Sequence, residues 1–178
     1  MRTFPPSLFH ISRTMLVQAA LSTLAWLCVP AWADVYDDVE RMVRNGQLER
    51  ASQATEAHLQ KNPQDPQMRL IGSRILEAQG RWDEARTLLE SLTQEFPELP
   101  EPHNNLAVLY ARDGRMQDAE DSLNKALLAR PDYGVALENL GDLHLSLALR
   151  AYQRAVRAPT PTAGARRKAD ALAPLLQR

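Results

Sequence analysis

The chain has 178 residues, of which 44% are hydrophobic and 24% charged, so it is long enough to form one domain with a hydrophobic core. Its formal net charge of −1 gives no electrostatic reason to expect a nucleic-acid partner. Only seven residues are glycine, while alanine is abundant, and both facts favour helix.

Residues 1–33 have the features of a secretory signal peptide. Arg2 and Arg13 are the only charged residues there, and an apolar run follows from Met15 to Val29. Ala31-Trp32-Ala33 then provides the small residues that a signal peptidase requires. We therefore expect cleavage after Ala33. The alternative is an uncleaved membrane anchor, because the apolar segment is nearly long enough to span a bilayer.

Cys28 is the only cysteine and lies inside this segment, so the mature chain has no thiol for catalysis, disulfide formation or metal binding. Leu27 stands where a lipoprotein signal needs a small residue, which argues against lipidation. Residues 34–178 contain 19 Lys and Arg against 22 Asp and Glu, a net charge of −3. The bacterial style of the signal indicates a periplasmic protein without a membrane span after cleavage.

Three residue types recur at intervals of 34 residues and in the same phase. They are Gly46, Gly80 and Gly114, then Ala51, Ala85 and Ala119, then Pro63, Pro97 and Pro131. Each glycine is expected to end a first helix in a left-handed conformation, and each proline to end a second helix. Each alanine is expected at the point where the two helices cross. The sequence therefore predicts stacked helix-turn-helix units.

This period and punctuation resemble the tetratricopeptide repeat. The unit at 100–133 matches best, with Leu106-Ala107, Tyr110, Ala119 and Pro131 at the family's positions. The resemblance implies an all-α, right-handed α-solenoid of about 3.5 repeats. The expected repeats span residues 34–65, 66–99, 100–133 and, truncated, 134–158. Residues 159–178 are expected to form a capping helix, from Ala165 to about Leu172, or a loosely ordered tail.

The fourth unit lacks the residues that would make its turn. Gly141 keeps the register, but Ala148 stands where the turn glycine is due, and five residues are missing before the register resumes. No residue between Asp142 and Val156 would provide a left-handed helix cap. We therefore expect one long helix from about Val135 to Ala158 rather than a strained short turn.

In this family the first helices line a concave face, and the resemblance implies which residues face inward here. They are Arg44, Arg74, Asn104, Asn105, Val108, Arg112, Glu138, Asn139 and Asp142. The asparagine before the Leu of Leu-Ala or Leu-Gly can grip the backbone of an extended ligand, or it can bond the neighbouring repeat and hold the stack.

The inner charges change sign along the stack. The arginines of the first three units can hold carboxylates of a partner, or they can form local ion pairs such as Arg74 with Glu77 and Arg112 with Asp113. The fourth unit presents Glu138 and Asp142. This polarity suggests that a bound helix or strand is oriented along the face.

The sequence contains no glycine-rich phosphate loop, no Gly-x-Ser-x-Gly and no His-Glu-x-x-His. His58, His103 and His144 lie at packing positions of different repeats, so we expect them in the core rather than around a metal. The run at 166–168 is too short for a nucleic-acid footprint. We expect no enzyme, cofactor or metal site.

The sequence thus predicts a protein-protein interaction adaptor of the cell envelope that binds a peptide or helix of a partner on its concave face. The alternative is a structural module that associates with itself and has no peptide groove, because a short repeat stack leaves edges to be covered.

Overall fold

The computed structural model describes residues 31–176, with side chains from Val35 onward. The predicted signal peptide lies almost entirely outside the described residues, and its cleavage stays a prediction. The chain divides into two compact units, Met1–Asp38 and Val39–Arg178. The described part of the first unit is the start of one α-helix. All contacts described below lie within the second unit.

The described residues form helices and no strand, which confirms the expected all-α class. The α-helices are α1 (Ala31–Arg44), α2 (Leu48–Leu59), α3 (Pro66–Ala78), α4 (Trp82–Glu95), α5 (Pro100–Arg112), α6 (Met116–Ala129), α7 (Gly134–Val156) and α8 (Ala163–Leu172), followed by a 3-10 helix at Ala173–Leu176. From α2 onward each helix packs on the next one, and α5 also contacts α7. This nearest-neighbour packing is that of a helical repeat stack.

The turn between the helices of a pair has the same structure three times. Gly46, Gly80 and Gly114 have φ angles of 70°, 74° and 79°, and they are the residues with positive φ in the described part of the chain. After α3, the Gly80 amide donates to the Glu77 carbonyl at 2.9 Å and the Arg81 amide donates to the Leu76 carbonyl at 2.8 Å. These two bonds are a Schellman motif, which satisfies carbonyls at the end of the helix.

The alanines of the repeat lie where the two helices of a pair cross. Ala51, Ala85 and Ala119 are each 0% exposed. A larger side chain at these positions would have to displace a neighbouring helix, because protein cores have no spare volume. The core continues outward from them through Leu89, Leu92 and similar residues.

The fourth unit has one long helix, as the missing turn residues predict. Helix α7 runs without interruption for 23 residues. No second helix of a pair follows in register. Instead α8 packs against α7, with Ala165 and Ala169 of α8 only 4% and 8% exposed. The C-terminal helix was expected from residue 165 and begins two residues earlier.

Within residues 31–176, no helix combines the length and the apolar character that a membrane crossing requires.

The left-handed turns give a direct test of the fold. Replacing Gly114 by Ala should lower the free energy of unfolding by about 1–2 kcal/mol, because a Cβ is unfavourable at φ 79°. No atom lies within 4 Å of the added Cβ, so the effect is conformational and not steric. The measurement is urea unfolding followed by circular dichroism.

Gly141 is the matched control, since it lies inside α7 with open space around it. Gly141→Ala should stabilise the protein by up to about 1 kcal/mol, because alanine is a better helix former. Equal effects of the two substitutions would contradict the role assigned to the turn.

Candidate functional site

One position of the repeat shows how the inner face is built. Glu40, Arg74, Val108 and Asp142 are each 34 residues apart, on α1, α3, α5 and α7. Arg74 Nη1 lies 3.1 Å from Glu40 Oε1, and Arg44 Nη1 lies 3.4 Å from Glu40 Oε2. One carboxylate is therefore shared by both arginines and offsets one of their two positive charges. The expected Arg74–Glu77 pair is not formed, because Arg74 reaches the preceding repeat instead.

The third inner arginine also has partners within the chain. The Arg112 guanidinium carbon lies 3.9 Å from the centre of the Trp82 ring, a cation–π contact. Arg112 Nη1 lies 3.4 Å from Asp113 Oδ1, as expected, and Arg86 Nη1 is 2.5 Å from the other oxygen of that carboxylate. The inner arginines thus form ion pairs and a cation–π contact within the chain, and their side chains are not free to bind the carboxylates of a partner.

The three inner asparagines form a chain of side-chain hydrogen bonds. Asn139 Nδ2 donates to Asn104 Oδ1 at 2.8 Å, and Asn104 Nδ2 donates to Asn105 Oδ1 at 3.3 Å. Asn104 is 4% exposed, so it is a buried part of the stack. The bond from Asn139 joins neighbouring repeats, as in the stack-holding alternative. In the side chains, Asn105 Nδ2 and Asn139 Oδ1 make no hydrogen bond among the described residues.

A cleft of about 300 Å³ opens between α5, α6 and α7. Its lining residues are Ala107, Val108, Ala111, Met116, Ala119, Leu123, Asn139, Asp142, Leu143, Ser146 and Arg150. The surfaces provided by α5 and α6 are apolar. All four polar side chains come from α7, so the cleft has one polar wall. Val108, one of the lining residues, is 45% exposed, so its side chain is open to contact from outside the chain.

Three of the nine predicted site residues line this cleft, namely Val108, Asn139 and Asp142. Sequence reasoning missed the contributions of Met116 and Arg150. Met116 follows the turn glycine by two residues and contributes its apolar side chain from the first position of α6. Arg150 reaches the cleft because α7 continues past the point where a regular repeat would turn.

Two acidic side chains of α7 are unpaired, one that lines the cleft and one outside its lining. Glu138 and Asp142 lie one helical turn apart on α7, and both are exposed. Neither forms an ion pair or a hydrogen bond within residues 31–176. The positive charge expected at the basic end of the face is therefore partly compensated by the partners of the arginines. The negative charge expected at the acidic end is not compensated by an ion pair.

Glu77 is a second unusual carboxylate on the inner side of α3. Its Oε1 atom is buried and has no hydrogen-bond partner in the described part of the chain. Burial raises the pKa of Glu77, and the charge of Arg74 lowers that pKa to a smaller extent. The ionised side chain is thus held at a cost to stability.

The three histidines do not share one environment. His103 is 6% exposed and its Nε2 lies 3.2 Å from the Pro97 carbonyl oxygen, and burial lowers the pKa of His103. His58 Nε2 lies 2.7 Å from Asp65 Oδ2, while Asp65 Oδ1 accepts from backbone amides at the start of α3. The expectation of core packing is wrong for His144, which is exposed and lies 3.1 Å from Glu120.

No group of three or more potential metal ligands comes together among the described residues.

Two family models, each described as tetratricopeptide repeat, match residues 41–100 and 76–143. Among solved structures, a chain in the structure of Naa15/Naa10 bound to HypK-THB is similar, with 24% sequence identity and a TM-score of 0.58. The matched region covers 68% of this chain and 18% of that chain. A tetratricopeptide repeat protein from Parabacteroides merdae is 21% identical with a TM-score of 0.56, over 80% of this chain and 59% of that chain. These similarities support the fold. No match was found among curated proteins.

The buried Glu77 oxygen gives a prediction with a pH signature. Glu77→Gln should raise Tm at pH 7, because it removes a charge that burial disfavours. A carboxyl whose pKa is raised on folding stabilises the fold at low pH and loses that contribution as pH rises through its folded pKa. The advantage of the variant should therefore shrink as pH falls toward 4.5, the ordinary value for glutamate.

Differential scanning calorimetry across this pH range makes the measurement. Glu84→Gln is the control, since the hydrogen bond from Arg81 lowers the pKa of the Glu84 carboxyl. That variant should give no increase in Tm at pH 7. A lower Tm for Glu77→Gln at neutral pH would show that the Glu77 charge has a partner.

Proposed function

The chain belongs to the tetratricopeptide-repeat family over residues 41–143, and from this premise we propose that it is a non-catalytic adaptor which binds a segment of another protein on its inner face. Members of this family generally mediate protein-protein interaction. The observation that supports the proposal is the cleft between α5, α6 and α7, which combines an apolar interior with one polar wall.

The shape and chemistry of the cleft define the segment that we propose it binds. Val108, Met116 and Leu123 favour one aliphatic or aromatic side chain as an anchor. Asp142 lines the cleft and Glu138 lies one helical turn before it, and neither carboxylate has an ion-pair partner among the described residues, so the anchor should be accompanied by a lysine or arginine. The unused polar atoms of Asn105 and Asn139 are suited to the backbone of an extended segment.

The inner arginines have a smaller role in this proposal. Arg44, Arg74 and Arg112 already contact Glu40, Asp113 or Trp82. A partner carboxylate would have to displace these contacts, so the net gain from binding there would be small. We place the main binding energy at the cleft and assign the arginine end to orientation of the segment.

Selection from a peptide library tests this preference. Random peptides selected on the purified protein should be enriched for an apolar residue close to a lysine or arginine. Asp142→Lys should shift the selected sequences away from basic residues, because it replaces the carboxylate of the polar wall by a second cation beside Arg150. Selection of peptides without either feature would contradict the proposal.

Val108→Arg should reduce the affinity for the selected peptides at least about tenfold, which corresponds to about 1.4 kcal/mol, because a long charged side chain would enter the apolar cleft. Isothermal titration calorimetry gives the affinity. Leu128→Arg is the matched control, since Leu128 is 85% exposed at the end of α6 and does not line the cleft. Equal losses in the two variants would refute the cleft as the binding site.

Self-association is the second candidate function. Leu128, Val135 and Leu137 are between 50% and 85% exposed, and apolar groups of this kind are often covered by a partner. The same pair of variants separates the two functions. If Leu128→Arg converts an oligomer to a monomer in analytical ultracentrifugation while peptide binding is absent throughout, the self-association function is favoured.

We further propose that the protein acts in the periplasm. This proposal rests on the predicted signal peptide at residues 1–33 and on the expected cleavage after Ala33. Mass spectrometry of the protein from a periplasmic fraction should find Asp34 at the N-terminus. A chain that starts at Met1 and sediments with membranes would favour the uncleaved anchor.

A further inference from the structure

The charges of the chain are strongly segregated along its length. Residues 34–142 contain 12 Lys and Arg against 21 Asp and Glu, a net charge of −9. Residues 143–178 contain seven Lys and Arg against one Asp, a net charge of +6. The near-neutral total therefore conceals an acidic body and a basic C-terminal end.

The structure shows that this basic end is not neutralised internally. Its described cations are Arg150, Arg154, Arg157, Arg166, Arg167 and Lys168, all of them exposed. None of the six forms an ion pair within residues 31–176. The contrast with the rest of the stack is marked, since arginines such as Arg69 and Arg81 pair with Glu95 and Glu84 at 2.7 and 2.6 Å.

Two helices bring these cations together. Arg150 and Arg154 are four residues apart on α7, and Arg157 follows three residues later as the C-cap of that helix, so the three cations lie on one side of its end. Helix α8, with the run 166–168, packs against α7. Arg157 and Arg166 line a common cleft between the two helices, and Lys168 Nζ lies 5.1 Å from the centre of the Tyr152 ring.

Two exposed apolar residues lie seven and eight positions after Lys168. Leu175 and Leu176, in the final 3-10 helix, are 52% and 37% exposed. Cations beside exposed leucines are the combination with which protein surfaces bind the headgroup region of anionic bilayers. Lys168 Nζ lies over one face of the Tyr152 ring, which disfavours stacking of a nucleic-acid base on that face.

We propose that the basic end, meaning the cations of α7 from Arg150 onward and of α8 together with Leu175 and Leu176, binds the headgroups of anionic phospholipids. The acidic body is repelled by the same surface, so the field of the membrane orients the molecule with its basic end toward the lipid. This orientation keeps the acidic part of the inner face away from the bilayer.

Vesicle co-sedimentation tests this inference with the purified protein. Binding should be strong to vesicles of phosphatidylcholine mixed with phosphatidylglycerol and weak to vesicles of phosphatidylcholine alone, and it should fall steeply as salt is added. Equal binding to both kinds of vesicle, without salt dependence, would overturn the proposal, because it would place the attachment in an apolar segment.

A variant with Arg166→Gln, Arg167→Gln and Lys168→Gln should lose about 100-fold in partition to the anionic vesicles, given the contribution of each cation near such a surface. The matched control removes the same charge elsewhere, by Arg50→Gln, Lys61→Gln and Lys125→Gln, and should bind nearly as the wild type does. Circular dichroism verifies that both variants are folded.

Two further outcomes would reject the lipid surface. If the two triple variants lose binding equally, then net charge and not this surface determines the affinity. If a single-stranded oligonucleotide binds more tightly than the anionic vesicles and depends on residues 166–168, the basic end is a nucleic-acid site.

Discussion

The left-handed turn is the constraint on which the rest of the structure depends. At Gly46, Gly80 and Gly114 a positive φ lets two hydrogen bonds close the end of a first helix, so the chain reverses and a second helix packs beside it. Between Gly141 and Val156 no residue has this conformation, and α7 continues instead. A regular repeat stack therefore ends, and a different architecture with α8 begins, at the point where one turn is missing.

Much of the fold follows from the printed sequence because local rules determine it. The 34-residue spacing of glycine and proline defines the helix ends, and the absence of a glycine at 148 defines the long helix. Burial of Ala51, Ala85 and Ala119 follows from the same period. The placement of His144 could not be predicted in this way, since an exposed or a buried position depends on whether a further helix covers α7.

The candidate site was less predictable, because its chemistry depends on which side chains find partners. The resemblance to the family implies that Arg74 lies on the inner face, but only the structure shows that its guanidinium reaches Glu40 of the preceding repeat rather than Glu77. It likewise shows that Asn104 is buried in a hydrogen-bond chain. Local ion pairs of the arginines and hydrogen bonds between the asparagine side chains thus leave these residues less able to bind a partner. Val108 and Asp142 are correspondingly more important to the candidate site.

The extension of α7 also explains why the two proposed surfaces lie on one element. Its first half carries Glu138 and Asp142 toward the inner face, and its second half carries the cations that continue onto α8. Arg150 belongs to both, since it lines the cleft and begins the basic end. A bound segment with its own basic residue would meet the acidic half and be repelled by Arg150. The sequence of charges along α7 therefore favours one orientation of the segment, with its cation toward the start of the helix.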